Sequence, residues 1–427
     1  MRKTDGAERL RRLIGRGTSP FHAAEAVEQE LLEAGYEPLV MNRPWQLERG
    51  GKYYVKHHGS TVAAFSVGND GSGGFRIAAA HTDFPGLRVK QHAELVQEGY
   101  ARLNVEVYGG AILNTWLDRP LSASGRVALR SDDVFRPQMR LVDLKRPLFV
   151  IPNLAIHLNR EVNKGVELNR QKELLPIAGA GGETISQGFF RELLARELKV
   201  RPEEILDYEI GLYNADRPEY VGMEEELLSA PRIDNLSGVQ AILDGMLEGG
   251  REGVNVAVFF DHEEVGSRTK QGAGSTLLSM VLERISLGLE RERGQFLQDL
   301  ADSMLLSVDV GHAFHPNYGE KMDPTNHSGL NRGFCIKEAS SQSYATDSWA
   351  VAVIEQLCMQ EEIPYTKYFN RSDGTSGSTL GSIASSMIPV PTVDVGVPVL
   401  AMHSARELMG VRDMQALTDM VRAYYGA

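Results

Sequence analysis

Cysteine is nearly absent from this chain: two residues, Cys335 and Cys358, in 427. A disulfide framework is thereby excluded, and so few thiols suit a reducing cytoplasm. Any bound metal must be held by His, Asp and Glu. Basic residues are also in short supply, 45 Lys and Arg against 57 Asp and Glu, for a formal net charge of −12. With no basic surplus to neutralise phosphates, nucleic acid is not an expected partner. The N-terminal MRKTDGAERLRR has no apolar segment of the kind a signal peptide carries. The longest uncharged stretch, 374–393, is broken by Pro389, Pro391 and many serines and glycines. It is no transmembrane helix, so no membrane association is expected. What remains is a soluble globular composition, 42% apolar and 24% charged, long enough for two domains.

The most informative stretch is 259–275, FFDHEEVGSRTKQGAGS. An apolar run, VNVAVFF over 254–260, stops abruptly at Asp261, His262, Glu263 and Glu264. Such a run reads as a strand hidden on both faces, with functional groups at its carboxyl end. Adjacent glutamates there repel each other unless a cation lies between them. A metal answers this, one Glu acting as ligand and the other as base for a bound water. An exposed acidic turn is the plainer alternative.

The same pattern recurs along the chain. FRIAAA (75–80) ends in His81-Thr82-Asp83. In extended chain His81 and Asp83 share a face, so Asp83 can accept the second N–H of a metal-binding His81. Asp234, in RIDNLSG, stands before a helix carrying Leu236, Ile242, Leu243 and Met246; capping or metal bridging would each use that place. SMLLSVDV (303–310) is a third buried strand, with Asp309 at its end, and a further strand leads to His403. Strand ends of an open α/β sheet converge on one edge. Together these positions supply two histidines, three carboxylate ligands and one spare glutamate. That is the donor set of a two-metal site: His81 and Asp309 on one ion, Glu264 and His403 on the other, Asp234 shared. Glu263 is left as general base, and the chemistry implied is amide hydrolysis.

Other segments frame the site. Ser19 and Pro20 open a helix that Gly35 closes, with His22 on it as a surface or packing residue. Residues 95–229 change character to short β-branched runs, predicting an inserted β-rich domain at 95–230 between catalytic segments 1–94 and 231–427. Its predicted connections are 89–94 and 224–231. Within it GAGG (179–182) reads as a loop, 186–198 as a helix, and His157, in NLAIHLNR, as a packed strand histidine. One long helix is expected over 275–293 and another over 344–360. The glycine-rich 371–379 lacks the ending of a phosphate loop.

In these residues the chain resembles the aspartyl aminopeptidase and vacuolar aminopeptidase I family of dinuclear zinc peptidases. The shared motifs are TSPFHA, AAHTDFPGLRVK, NLAIHLNR, RIDNLSG, DHEEVGS, VDVGHA, GSTLG and MHSARE, spread over nearly the whole length. The resemblance implies an α/β peptidase domain with a mixed central sheet flanked by helices and an inserted β-rich dimerisation domain. It implies a homo-dodecamer built from dimers and peptide substrates. By motif, His81, Asp234, Glu264, Asp309 and His403 would hold two zinc ions, Glu263 would be the acid/base and Asp83 would orient His81. Cobalt and manganese suit the same donors. His157 matches a histidine that reaches a neighbouring subunit's active site. Lys337 matches a lysine near the substrate's side chain, and Gly377 and Ser378 of GSTLG and Arg371 fall at the substrate-binding side.

One departure concerns specificity. EASSQSYAT has Ser343 where the family's N-Q-R-Y-A-T pattern carries arginine. An acidic substrate side chain buried without a cation would be costly, so a neutral N-terminal residue stands beside Asp and Glu as an expectation. Arg371 or Arg406 would be the compensating cations. The rival readings are a dinuclear N-acyl amino-acid deacylase or dipeptidase, and a non-catalytic assembly protein. The first usually carries its insert after the Glu-Glu motif, and the second should have lost Glu263 or a ligand.

Overall fold

The computed structural model describes residues 5–69, 73–165, 167–181, 187–248, 250, 252–374 and 377–427. The chain forms two compact units. One comprises Met1–Asp83, Pro218–Met402 and Glu407–Ala427; the other comprises Phe84–Arg217 and His403–Arg406.

The first unit is built on a nine-stranded mixed sheet. Its spatial order is Glu37–Leu39, Lys52–His57, Thr61–Val67, Val254–Phe260, Phe75–His81, Met304–Val308, Thr392–Gly396, Phe334–Glu338 and Tyr365–Phe369. The four strands from Val254–Phe260 to Thr392–Gly396 run parallel. Three of them are buried at every residue, as their unbroken apolar runs predict for strands covered on both faces. Helix Ile233–Glu248 packs on this sheet and on helix Val411–Gly426. The latter sends Tyr424 Oη to Ile77 O and Met304 O, at 3.2 and 2.7 Å, and Tyr425 Oη to Val256 O at 2.9 Å. A smaller five-stranded sheet completes this unit. Fully buried Phe259, Leu306 and Ile77 each contribute about 1.5–3 kcal/mol of burial free energy.

Local signals explain several boundaries. Ser19 caps helix Pro20–Glu33, its Oγ accepting from His22 N–H at 3.3 Å and lying 2.7 Å from His22 Nδ1, which gives His22 a local role. Helix Asp5–Arg16 precedes it and was not expected; its apolar side buries Leu10, Leu13 and Ile14. The helix expected over 275–293 ends earlier, as Leu277–Gly288, and a second helix that was not expected follows it, Arg293–Ala301. Glu290 adopts φ 58° and Glu292 starts a capping box with Gln295, so the chain stops and restarts.

The second unit carries a six-stranded antiparallel sheet. Its order is Gln138–Asp143, Leu121–Leu129, Ile205–Asn214, Gly86–Gln97, Tyr100–Tyr108 and Ile177–Ala180. Helix Phe189–Leu198 places Phe190 and Leu194 in its core. The stretch 89–94, read as a connection, lies inside strand Gly86–Gln97; its pairing shifts register between Val89 and Glu94, where His92 has φ 53°. Part of GAGG, read as a loop, is strand Ile177–Ala180; Gly182 and Ser186 fall outside the described residues. His157 is not on a strand. Past the isolated bridges at Phe149 and Val150 comes Pro152, which has no N–H to donate, and the chain turns, Leu158 N–H donating to Ala155 O at 2.8 Å. His157 is exposed.

Gly396 ends a buried strand against the Asp309 backbone, and a Cβ there would stand 1.7 Å from Asp309 O. Neither strand can yield without losing its neighbours. Gly396→Ala is expected to destabilise the chain by roughly 3 kcal/mol or more, read as a lower urea midpoint. An unchanged midpoint would show that the strands separate freely.

Candidate metal centre

Three parallel strands deliver the site. Phe260 lies opposite His81, and Ser307 opposite Ala79, so the turn after Phe260, His81 itself and Asp309 emerge at one sheet edge. His81 is buried. Its Nδ1 is 2.9 Å from Asp83 O and 3.3 Å from Asp83 Oδ1, while its Nε2 is 3.4 Å from Asp234 Oδ1 and 3.4 Å from Asp309 Oδ1. One ring nitrogen is thus committed to Asp83 and the other faces two carboxylates. That is how second-shell acids orient a ligating imidazole.

The Glu pair is fixed through its backbone. After Phe260 the chain turns sharply, His262 at φ 64° and Gly266 at φ 93°, with a short 3-10 turn at Glu263–Val265. The two oxygens of Asp83 accept the N–H groups of Glu263 and Glu264, each at 3.1 Å. Asp234 precedes the regular part of its helix, since Asp234 and Asn235 have non-helical backbones. Its N–H donates to Glu407 Oε2 at 3.0 Å, and Asn235 Nδ2 donates to Val308 O at 2.7 Å, tying this junction to the strand that ends before Asp309.

Donor atoms of His81, Asp234 and Asp309 all lie within 4.8 Å of one another, as do those of His81, Glu263 and Glu264. Burial pushes the Glu263 carboxyl up to about 8, opposed by His81 and reinforced by Asp309, Asp83 and Asp234. Burial and Asp234 push Glu264 well above the carboxylate range. Burial alone would lower His81, but its contacts with Asp234, Asp309 and Asp83 raise it well above the usual imidazole value. These shifts have one origin: carboxylates crowded in a dry place without enough positive charge. The donor set, one imidazole nitrogen among carboxylate oxygens, fits zinc, and a divalent ion supplies the missing charge.

The expected substrate-side residues are not among these donors. Lys337 is 0% exposed; its Nζ donates to Val310 O at 3.1 Å and lies 5.2 Å from the Tyr344 ring centroid. Burial would lower its pKa, but Asp309 and Asp394 raise it, so it is an ammonium inside the core. Arg371 is surface-exposed and closes on Asp373 two residues on, with bonds of 2.6 and 2.9 Å. Gly377 and Ser378 are exposed. His403 lies in the short segment of the second unit, at φ 65°, with Nδ1 3.2 Å from Gly110 O.

Four residues escaped the sequence reading. Glu407 holds Asp234, and Asp394 accepts from Ser307 Oγ, Thr379 Oγ1 and Ala345 N–H, each at 2.6 Å. Asp261 and Gln271 bond to each other beneath the Glu turn at 3.4 Å. An acid in the middle of the apolar run TVDVG was a usable signal for Asp394. Gln271 gave none.

The family described as aminopeptidase I zinc metalloprotease (M18) matches residues 13–425. A probable M18 family aminopeptidase 2 of Clostridium novyi is 44% identical over 98% of both chains. Among solved structures, the Ape4 chain of an Ape4–Nbr1 complex superposes with a TM-score of 0.94 at 32% identity, covering 98% of this chain and 85% of that one. The mApe1 dodecamer of S. cerevisiae has a TM-score of 0.85 at 22% identity, covering 99% and 96%, and shares the fold. With five of its acids turned around one buried imidazole and residues 13–425 matched, the chain belongs to the M18 family and is a zinc-dependent aminopeptidase.

Proposed function

We propose that this enzyme removes single N-terminal residues from peptides at a two-zinc centre, with Glu263 as general acid/base. His81, Asp234, Glu264, Asp309 and His403 would hold the zinc. The observation that carries the reading is the Asp83 carboxylate, which orients the His81 ring and holds the backbone of both glutamates at once. When bound, zinc supplies Lewis acidity to polarise the scissile carbonyl and to acidify water. Glu263 takes the proton of the attacking water and passes it to the departing amine nitrogen as the C–N bond breaks.

A neutral N-terminal side chain is favoured over Asp or Glu. Lys337 is turned inward to Val310 O, Arg371 is closed on Asp373, and position 343 is serine. An acidic side chain would therefore meet no unspent cation at these positions. Gly377 and Ser378 are proposed to flank the bound substrate.

The active form is proposed to be a cytoplasmic dodecamer assembled from dimers, like that of the mApe1 neighbour. His157 would serve a neighbouring subunit's site. Its loop exposes Leu154, Ile156 and Leu158, the last at 75%, which is apolar surface suited to a subunit contact. Two buried free thiols suit a reducing compartment, and no described helix is long and apolar enough to cross a membrane.

Three measurements test this reading. Zinc-loaded enzyme offered aminoacyl-p-nitroanilides is expected to cleave Leu and Met substrates at least about tenfold faster than Asp or Glu, a difference of about 1.4 kcal/mol, and to ignore N-acetylated ones. A preference for Asp would return Lys337 to the pocket. Glu263→Gln should retain zinc and lose about 10²–10⁴-fold in kcat; full turnover would remove Glu263 as the base. The third is a pH test on chelated enzyme. In the metal-free protein Glu263 and Glu264 bind protons more tightly folded than unfolded, so stability falls as pH rises from about 4.5 through about 8. His81 acts in the same direction, its contribution being present at low pH and lost as pH rises through its raised pKa. The chelated enzyme should melt higher at about pH 5.5 than at about pH 8, with zinc narrowing the gap. A gap that zinc leaves untouched would place the charge imbalance elsewhere.

A further inference from the structure

The Glu263–Glu264 turn has a second anchor besides Asp83. Asp261, 2% exposed, is the first residue after strand Val254–Phe260. Its Oδ1 accepts from His262 N–H at 2.8 Å, and its Oδ2 accepts from Gln271 Nε2 at 3.4 Å. Gln271, 3% exposed, also donates through Nε2 to Ser60 Oγ at 2.7 Å. Its backbone carbonyl accepts from Asp261 N–H at 3.2 Å and from Thr61 Oγ1 at 2.9 Å. Ser60, fully buried, passes the connection on, its carbonyl accepting from Thr82 Oγ1 at 3.0 Å. Thr82 stands between His81 and Asp83.

One amide side chain thus ties the loop that follows the glutamates to Asp261 and to the turn before Thr61–Val67, and Ser60 carries the connection on to the HTD stretch. That loop has little slack. Ser267 sits at φ 58°, and a Cβ on Gly272 would lie 2.2 Å from Ser267 O. His262, at φ 64°, is pinned from both ends, by Asp261 at its N–H and by Thr269 Oγ1 at its Nδ1, 2.9 Å away. A left-handed non-glycine residue persists only where its surroundings over-determine it. Asp83 fixes the N–H groups of the glutamates, and Gln271 fixes the residue from which their turn departs.

We infer that Gln271, acting through Asp261 and Ser60, is a positioning residue that aims Glu263 at its water. The inference rests on Glu263 being the general acid/base. An error of about 1 Å in a reacting group costs about 100-fold in rate, so loosening this anchor should appear in kcat.

The chemistry allows a reciprocal test. In Gln271→Glu two carboxylates face each other and the donor to Asp261 is gone. In Asp261→Asn two amides meet, with no acceptor of matching charge. In the double variant the amide at 261 donates to the carboxylate at 271, and the Ser60 hydroxyl, which in the parent donates to Asp261 and accepts from Gln271, exchanges the two roles. Each single variant is expected to lose about 100-fold in kcat with KM and bound zinc unchanged, and the double variant to recover to within about fivefold of the parent. Zinc content by atomic absorption and the melting midpoint of the metal-free proteins are measured alongside. Should a single variant fail to fold, Ser60→Ala, which removes one hydroxyl shared by Gln271 and Asp261 and leaves the amide–carboxylate bond in place, is expected to lose about tenfold in kcat at unchanged zinc. Single variants with parental kcat overturn the inference, as does a double variant no better than the singles, or a fall in zinc content that accounts for the lost rate. Glu263→Gln, run in the same series, separates the two claims. Its full activity would refute the acid/base reading, whereas its inactivity beside a fully active Gln271→Glu would refute only the positioning role.

Discussion

The two oxygens of the Asp83 carboxylate carry more of this site than any proposed ligand does. One buried group meets the His81 ring at 3.3 Å and accepts the backbone N–H of both Glu263 and Glu264. Charge-assisted bonds of this kind are roughly twice as strong as neutral ones, and burial removes the competition from water. Asp83 therefore couples two strands that neighbour each other only in space, Phe75–His81 and Val254–Phe260. Neither the imidazole nor the glutamate pair can shift without moving the other. Removing it would leave two buried N–H donors and an unoriented ring, a larger loss than any one bond suggests.

The parallel sheet makes that coupling possible. Parallel strands end on the same side, so three consecutive neighbours deliver side chains to one edge without any long loop having to be ordered. Each ending is then locked by a different device. Gly396 allows the backbone of Asp309 to approach with no room for a methyl group, Glu407 fixes the N–H of Asp234, and Asp83 fixes the glutamates. Behind these, Asp394 collects Ser307, Thr379 and the Ala345 N–H, while Lys337 reaches Val310 O. The geometry of the acid cluster is thus set by rigid elements and by a layer of polar groups behind it, as a site tolerating little positional error requires.

Legibility in the sequence followed the range of the physics. VNVAVFF, FRIAAA and SMLLSVDV announce themselves because a strand buried on both faces has no choice but to be apolar, and a charge at its end is conspicuous. The cap at Ser19 is equally local. His157 misled because an alternating apolar pattern is shared by strands and by loops that expose apolar residues. With Pro152 ahead of it, the segment does not join the sheet. The helix expected over 275–293 was read past its end at Gly288 because Glu290 is a strong helix former that nonetheless adopts a left-handed backbone. Gln271 is illegible for a deeper reason: its three partners lie at positions 60, 61 and 261, and no periodicity relates them.

Electrostatics ties the layers together. A cluster of Asp83, Asp234, Glu263, Glu264 and Asp309 cannot hold its charge in a buried place on its own, and the upward shifts at Glu263 and Glu264 register that conflict. The protein relieves it in two ways. Behind the ligands, the buried ammonium of Lys337 stands near Asp309 and Asp394 and stays charged because of them. In front, the cluster is left for metal cations to neutralise. Had a fixed cation such as arginine been placed among the donors, the acids would be satisfied and the affinity for metal lost. An inward lysine supports Asp309 without competing for its outward oxygen. The same choice turns that ammonium inward, to Val310 O, so the charge that steadies the acids is spent inside the core.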